Sequence, residues 1–178
     1  MFKKIITIVT ILIGIVLISA LFIETEYSVI HSIEINKSQK EIFEYLKFLK
    51  NQDEYSIWAK IDPNMKKSYK GIDGEIGFIS SWDSKNEDIG KGEQEIKKLS
   101  PNSRIDFELR FINPFEATHD AYFIIEPIND KNTKVTWGFN GQMEYPFNIM
   151  LIIMNMDNML GPDLKKGLEN LKINFERN

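Results

Sequence analysis

The stretch RIDFELRF, from Arg104 to Phe111, alternates charged and apolar residues without interruption. Successive side chains of a β-strand point to opposite faces, so this period of two predicts a strand with one aromatic, apolar face and one charged face. The charged face is best explained as the solvated side of a sheet. The apolar face needs a covering layer, and helices packed on one side of an antiparallel sheet would supply it.

The same period extends along the chain on both sides of this stretch. Turn signals such as Asp73-Gly74 and Pro101-Asn102 separate the alternating segments, which favours consecutive antiparallel strands. We therefore expect a curved antiparallel sheet of about seven strands. The other six segments are YSVIHSIEI (27–35), KKSYKG (66–71), IGFISSWDS (76–84), GKGEQEIKKLS (90–100), HDAYFIIEPI (119–128) and TKVTWGFNGQM (133–143).

Helical periodicity comes before and after the strands. The sequence SQKE at 38–41 matches a capping box, and the apolar spacing that follows predicts a helix from Ser38 to Lys50. Near the C-terminus, Leu164, Leu168 and Leu171 recur at helical spacing and predict a helix that lies across the apolar face of the sheet. The fold class is therefore α+β.

The segment before that C-terminal helix is unusually rich in methionine. Ten of the 14 residues 147–160 are apolar, and Gly161-Pro162 separates them from the amphipathic part. Because proline is favoured in the first turn of a helix, we expect Pro162 to begin a new helix and the Gly-Pro pair to act as a hinge. Methionine suits irregular and changeable surfaces, so Met150 and Met154 are expected to line the wall of a cavity.

The N-terminus carries an apolar run of 19 residues, Ile5 to Ile23, preceded by Lys3 and Lys4. At ~1.5 Å per residue such a helix is roughly 28 Å long, which suffices to span the hydrocarbon of a bilayer. The run exceeds the ~7–15 residue core of a signal peptide, so an uncleaved anchor is favoured over a cleaved leader. We expect residues 1–26 to form a single-pass anchor with a cytoplasmic N-terminus and residues 27–178 to form an extracytoplasmic domain.

Composition excludes several classes of function. The 178 residues include no cysteine, which removes disulfides, thiolate metal sites and a cysteine nucleophile. The formal net charge is −4 and the basic residues are scattered, which argues against a nucleic-acid partner. His31 and His119 lie on separate predicted strands, and no metal-binding motif is present, so no metal site and no cofactor are expected.

The order of elements and several short motifs resemble the SRPBCC, or START-like, superfamily, in particular its polyketide cyclase/dehydrase-like branch with an N-terminal membrane segment. The resemblance extends from about Tyr27 to Glu176. It implies a helix-grip fold, in which the curved sheet wraps around the long C-terminal helix and encloses an apolar cavity. The matching motifs are Trp58 with DPNM (62–65), GFISSW (77–82), GKG (90–92), LRFINPF (109–115), TKVTW (133–137), MEYP (143–146), MDNMLG (156–161) and KGLENLK (166–172).

The aromatic and apolar residues of the inner sheet face are the candidate ligand contacts. A binding pocket also needs a few placed polar groups, for which Asp62, Ser80, Tyr122 and Asp157 are candidates. A plain packed core remains the alternative reading of the same residues. The candidate ligand-binding residues are Trp58, Asp62, Phe78, Trp82, Phe107, Leu109, Trp137, Phe139, Met150 and Met154.

Three functions fit these features. The first is a membrane-anchored, exported module that binds a small hydrophobic or lipid-like molecule. The second is a cyclase, dehydratase or hydrolase in which a buried carboxylate, Asp62 or Asp157, has a raised pKa and acts as acid or base. The third is an assembly protein with a filled core and an exposed apolar patch between Phe147 and Met159. No catalytic constellation is evident, so binding is favoured over catalysis.

Overall fold

The computed structural model describes residues 2–177 and contains five α-helices and seven strands within them. The helices are α1 (Phe2–Ala20), α2 (Gln39–Leu46), α3 (Gln52–Tyr55), α4 (Trp58–Ile61) and α5 (Met156–Glu176). Short 3-10 helices span Leu49–Asn51 and Phe147–Ile152. The strands are β1 (Glu26–Ile35), β2 (Lys66–Lys70), β3 (Ile79–Asp83), β4 (Lys91–Ser100), β5 (Arg104–Asn113), β6 (Ala117–Asn129) and β7 (Asn132–Gln142).

The strands form one antiparallel sheet in the order β1-β7-β6-β5-β4-β3-β2. Strands β2 to β7 are consecutive neighbours, as a meander requires, and β1 closes the sheet against β7. The predicted α+β fold with about seven strands is confirmed, and the sheet curves around the long C-terminal helix. Alternation also assigned the faces of β5 correctly, because Ile105 and Phe107 are buried while Asp106 and Glu108 lie on the outer face.

Helix α5 lies across the concave face of the sheet and buries Leu164, Leu168 and Leu171. Helix α2 adds a third layer at one end of the sheet. Its predicted capping box is present: the Ser38 hydroxyl accepts from the Glu41 amide, and the Glu41 carboxylate accepts from the Ser38 amide. The helix ends at Leu46 rather than Lys50, because the Asp73 carboxylate accepts from the amides of Leu49 and Lys50 and begins a separate turn there.

The prediction of a helix start and hinge at Gly161-Pro162 is wrong. Helix α5 begins at Met156, where the Asn155 side chain caps the Asn158 amide, and it continues through Pro162. The proline removes one helical hydrogen bond, and the carbonyl it leaves free belongs to the exposed Asn158, where water can bind it. Gly161 instead permits close packing, since a Cβ there would lie 2.6 Å from Nε2 of His31. The helical conformation is instead interrupted at residues 153–155, between the second 3-10 helix and α5.

Helix α1 is apolar along its length and stands almost clear of the rest of the protein. It is the one helix of the described residues that is long and apolar enough to cross a membrane. Only Ala20, at its C-terminal end, is buried. The predicted apolar N-terminal helix is therefore present, and its role as a membrane anchor over residues 1–26 stays a prediction.

Candidate ligand cavity

A cavity of about 280 Å³ lies between the concave face of the sheet, helix α5 and the segment that carries α3 and α4. It is partly open to solvent. Residues from six strands, β2 to β7, and from helices α3, α4 and α5 contribute to its wall. They are Leu49, Gln52, Asp53, Ser56, Trp58, Ala59, Met65, Lys67, Ser80, Ser81, Trp82, Asp88, Ile89, Gln94, Leu109, Phe111, Ala121, Trp137, Phe139, Leu160 and Leu164.

Aromatic side chains shape the wall and hold one another in place. The rings of Trp58 and Trp137 meet edge to face with centroids 5.9 Å apart, and those of Trp82 and Phe111 do so at 6.1 Å. Such contacts stabilise beyond the area they bury and restrict ring orientation. The Trp82 indole also donates to the Ile89 carbonyl at 3.2 Å, which fastens the β3–β4 turn against the wall. All three tryptophans of the chain line the cavity.

Gln94 places a buried amide on the wall. This residue is only 6% exposed and lines the cavity. Across the ladder its neighbours are Ser80 on β3 and Leu109 on β5, both of which also line the cavity. A polar atom of a ligand, or a water molecule, could therefore bind the Gln94 amide within the cavity.

Charged groups are confined to the rim of the cavity. Lys67 Nζ lies 2.5 Å from the Asp53 carboxylate, and both side chains are partly exposed. Because each charge already has a partner, the pair neutralises this side of the entrance. The other charged residue of the wall, Asp88, is exposed.

The structure brings together half of the residues predicted as ligand contacts. Trp58, Trp82, Leu109, Trp137 and Phe139 line the cavity, as does Ser80 among the polar candidates. The role of these residues in binding stays a prediction.

The other predicted residues lie elsewhere. Phe78 and Phe107 are 1% exposed and belong to the packed core, while Met150 and Met154 lie on the segment beside the end of α1. Asp62 accepts hydrogen bonds from the Ser84 hydroxyl at 2.5 Å and the Asn64 amide at 3.0 Å, outside the cavity.

Tyr122 and Asp157 are also outside the cavity. Tyr122 lies on the outer sheet face, where the Arg104 guanidinium is 4.4 Å from its ring centroid. Asp157 is half-exposed, and its carboxylate lies 2.8 Å from Nε2 of His31. Both carboxylates considered as acid or base, Asp62 and Asp157, are thus absent from the cavity wall.

Sequence reasoning missed Gln94, the Lys67–Asp53 pair and the two leucines of α5, Leu160 and Leu164. A signal for Gln94 was present, because it shares the parity of the apolar Ile96 on the same strand and so had to point inward. The Lys67–Asp53 pair joins β2 to α3, and no local pattern connects these two elements. It could not be read from the sequence.

The outer face of the sheet carries a network of charges centred on Arg110. Its guanidinium donates to Glu93 at 2.6 Å, to Glu95 at 2.7 Å and to Glu108. Hydrogen bonding to Glu93 raises the pKa of Arg110, and the bond from Arg110 lowers the pKa of Glu95. This network lies on the opposite side from the cavity, and the described residues 2–177 contain no cluster of three or more His, Asp or Glu that could hold a metal ion.

Comparison with known proteins supports the fold. No protein-family profile and no curated sequence matches the chain. Norcoclaurine synthase from Thalictrum flavum is similar in structure, with a TM-score of 0.62 and 11% identity over 88% of this chain and 98% of that one. The Aha1 dimer from Colwellia psychrerythraea has a TM-score of 0.58 and 16% identity over 84% of this chain and 96% of that one.

The XoxI protein from Bacillus cereus gives a similar result, with a TM-score of 0.58 and 14% identity over 83% of this chain and 94% of that one. At such low identity these likenesses bear on architecture and not on activity. The resemblance to the polyketide cyclase-like branch remains a prediction. What the likenesses show, together with the seven-stranded sheet and α5, is that this chain has the helix-grip fold.

Proposed function

We propose that this protein is a membrane-anchored module that holds a small hydrophobic or lipid-like molecule in the cavity between the sheet and α5. The observation that carries the proposal is a mostly apolar wall with one buried amide, that of Gln94. Ligand pockets in proteins have this composition, with hydrophobic walls and a few polar groups that fix orientation. Helix α1 supplies the anchor, with Lys3 and Lys4 on the cytoplasmic side and the domain on the other.

The size of the cavity limits the ligand. A volume of about 280 Å³ lies just below the ~300–1,000 Å³ that is typical of ligand pockets. We therefore expect a small ligand, such as a medium-chain fatty acid or a small aromatic compound. A longer chain would extend through the open side of the cavity.

Binding is favoured over catalysis because a reaction needs a reactive group held against the ligand. The ionisable groups of the wall are Lys67 and Asp53, which are paired with each other, and the exposed Asp88. Asp62 and Asp157, on which an enzymatic role was hypothesised, lie outside the cavity. An assembly protein with a filled core is disfavoured by the cavity itself. The exposed apolar patch between Phe147 and Met159, which the assembly hypothesis also predicts, is present.

Native mass spectrometry of the full chain released from mild detergent tests the proposal directly. We expect a bound apolar molecule, or uptake of one from a panel of medium-chain fatty acids and small aromatic compounds. Uptake can also be followed by tryptophan fluorescence, since Trp58, Trp82 and Trp137 all line the cavity. A cavity that stays empty with the whole panel, with unchanged fluorescence, would contradict the proposal.

The amide of Gln94 allows a sharper experiment. Gln94→Leu removes its hydrogen-bonding group at similar size, and we expect affinity for a ligand with a polar head to fall ~3–10-fold, while a pure hydrocarbon binds at least as well. Gln142→Leu is the matched control, because Gln142 is exposed at the end of β7 and does not line this cavity. Equal losses in both variants would show that Gln94 has no specific role.

A further inference from the structure

An exposed apolar surface surrounds the C-terminal end of α1. We call it the juxtamembrane patch and define it as Phe22, Tyr145, Phe147, Met150, Ile152 and Ile153. Phe147 is 71% exposed, Ile153 is 79% exposed and Phe22 is 85% exposed. Large apolar side chains this exposed and this close together mark a contact surface.

A buried side chain fixes this patch to α1. Asn148 is 1% exposed, and its Nδ2 donates to the carbonyl of Ala20 at 2.8 Å and to that of Ile23 at 2.9 Å. The last carbonyls of a helix lack partners within it. Asn148 binds the Ile23 carbonyl and adds a second donor to the Ala20 carbonyl, which also accepts from the Ile23 amide at 3.4 Å. The 3-10 helix that carries Phe147 and Met150 is therefore held at the level where α1 ends.

The connection from α1 to the domain leaves little freedom to move away. Only residues 21–25 lie between α1 and β1, and they are bonded at both ends. The Phe22 amide donates to the Ser19 carbonyl at 3.1 Å, and the Thr25 carbonyl accepts from the Met143 amide at 2.8 Å. A domain joined this closely cannot lift its patch far from the surface into which α1 inserts.

The charged residues around the patch indicate which kind of lipid surface it can bind. Segments 21–26 and 143–159 carry Glu24, Glu26, Glu144 and Asp157 and contain no lysine or arginine. Electrostatic attraction to anionic lipid needs basic residues near the membrane. These segments have none, so they cannot bind anionic lipid in this way. Insertion of apolar and aromatic side chains among neutral headgroups is what this composition permits.

We propose that the juxtamembrane patch inserts into the boundary between headgroups and acyl chains of the same bilayer that α1 spans, so that the domain is docked on the membrane. This inference rests on the anchor in the proposed function. Interfacial segments bury their apolar face about 5–10 Å into this boundary, and the contacts of Asn148 hold the patch beside the end of α1. The occupant is lipid, and the surface is continuous with the helix that enters it.

Depth-dependent quenching tests the docking in the full chain. The native protein has no cysteine, so a fluorescent bimane label attaches only to the single cysteine that each variant introduces. Phe147→Cys and Ile153→Cys report on the patch. Ile72→Cys and Ile76→Cys are matched controls, because these residues are 66% and 64% exposed but lie in the β2–β3 loop. Leu12→Cys, in the middle of α1, reports on the anchor itself.

The proteins are reconstituted in neutral phosphatidylcholine brominated either near the glycerol or near the methyl end of its chains. We expect labels at 147 and 153 to lose about half of their fluorescence or more with shallow bromines, and to resist aqueous iodide. Labels at 72 and 76 should be quenched by iodide only. The label at 12 should be quenched most by deep bromines.

Each other outcome has a distinct meaning. Quenching at 12 without quenching at 147 and 153 keeps the anchor and overturns the docking, and leaves the patch to a protein partner. Absence of deep quenching at 12 overturns the anchor and the docking with it. A requirement for anionic phosphatidylglycerol at positions 147 and 153 would also overturn the proposal, because the patch has no basic residue to recognise it.

Discussion

The concave face of the sheet is fully packed at one end, the closed end, and borders the cavity at the other, the open end. The same strands run through both ends. On β5, Ile105 is 0% exposed at the closed end, whereas Leu109, four residues further along on the same face, borders the cavity. Helix α5 shows the same change, from the fully buried Leu171 to Leu160 beside the cavity. The apolar pattern of the strand is equal at both ends, so the difference must arise from what covers it.

The third layer explains the difference. At the closed end, α2 places Ile42, Phe43 and Leu46 in the core, and the Gln39 side chain donates to the Ile125 carbonyl at 2.9 Å. At the open end the cover consists of the four-residue helices α3 and α4 and their connections, which are too short to fill the space. A cavity in this fold therefore reflects the length of the covering helices more than the composition of the sheet.

The largest expected effect comes from shortening the two matched residues of β5. Ile105→Ala should lower the free energy of unfolding by about 2–5 kcal/mol, because it creates a new void in a fully packed region. Leu109→Ala enlarges a space that already exists and should cost less than half as much. Denaturant unfolding of both variants measures the difference, and equal losses would contradict the distinction between the two ends.

Filling the cavity at the open end should change ligand affinity more than the free energy of unfolding. Ala121 lines the cavity on β6, and Ala121→Ile adds three carbons with a side chain suited to a strand. We expect ligand affinity to fall about tenfold or more, while the free energy of unfolding changes by less than ~1.5 kcal/mol. Calorimetric titration and denaturant unfolding test the two parts. Unchanged affinity would show that the ligand does not occupy this space.

The sequence predicted the fold well because alternation is a local property. Each of the seven strands, the capping box at Ser38 and the apolar α1 can be recognised within a short window. The face of each residue was also predictable, which is why Trp82, Leu109 and Phe139 were correctly expected on the inner side.

The position of a residue along the face was not predictable. Phe107 and Leu109 have the same parity, and only the arrangement of α2, α3 and α4 above them makes one a core residue and the other a cavity residue. The prediction that Pro162 begins a helix failed for a related reason. The lost helical hydrogen bond at Pro162 is offset by the packing of Leu160 and Leu164 on either side of it. Such tertiary effects have no local signal.

A smaller effect is expected from loosening the third layer at the closed end. Ser38→Ala removes the hydroxyl that accepts from the Glu41 amide and should lower the free energy of unfolding by ~1 kcal/mol. Ligand affinity should not change, because α2 does not border the cavity. Ser68→Ala, on the exposed strand β2, is the control and should leave stability unaltered. A loss of affinity in Ser38→Ala would mean that the two ends are coupled.

The smallest expected effect concerns protonation at the open end. His119 packs against Phe111 and Phe139, with ring centroids 5.8 Å and 5.4 Å apart, and its burial lowers its pKa from the usual 6.5. As the pH falls through 6.5 the unfolded chain therefore takes up a proton before the folded one does, so folding stability should decrease. Because His119 is only half-buried, the loss should be roughly a few tenths of a kcal/mol.

Removing this histidine isolates its contribution. In His119→Leu the free energy of unfolding should depend less on pH between about 6.5 and 5 than in the native protein, and the two proteins should show parallel behaviour above pH 7.5 or so. Urea unfolding at a series of pH values measures both slopes. Identical slopes would mean that His119 is as accessible to protons when folded as when unfolded, and that the open end admits water to the rings around it. A flatter slope would instead show that the aromatic wall excludes water there even though the cavity beside it is open.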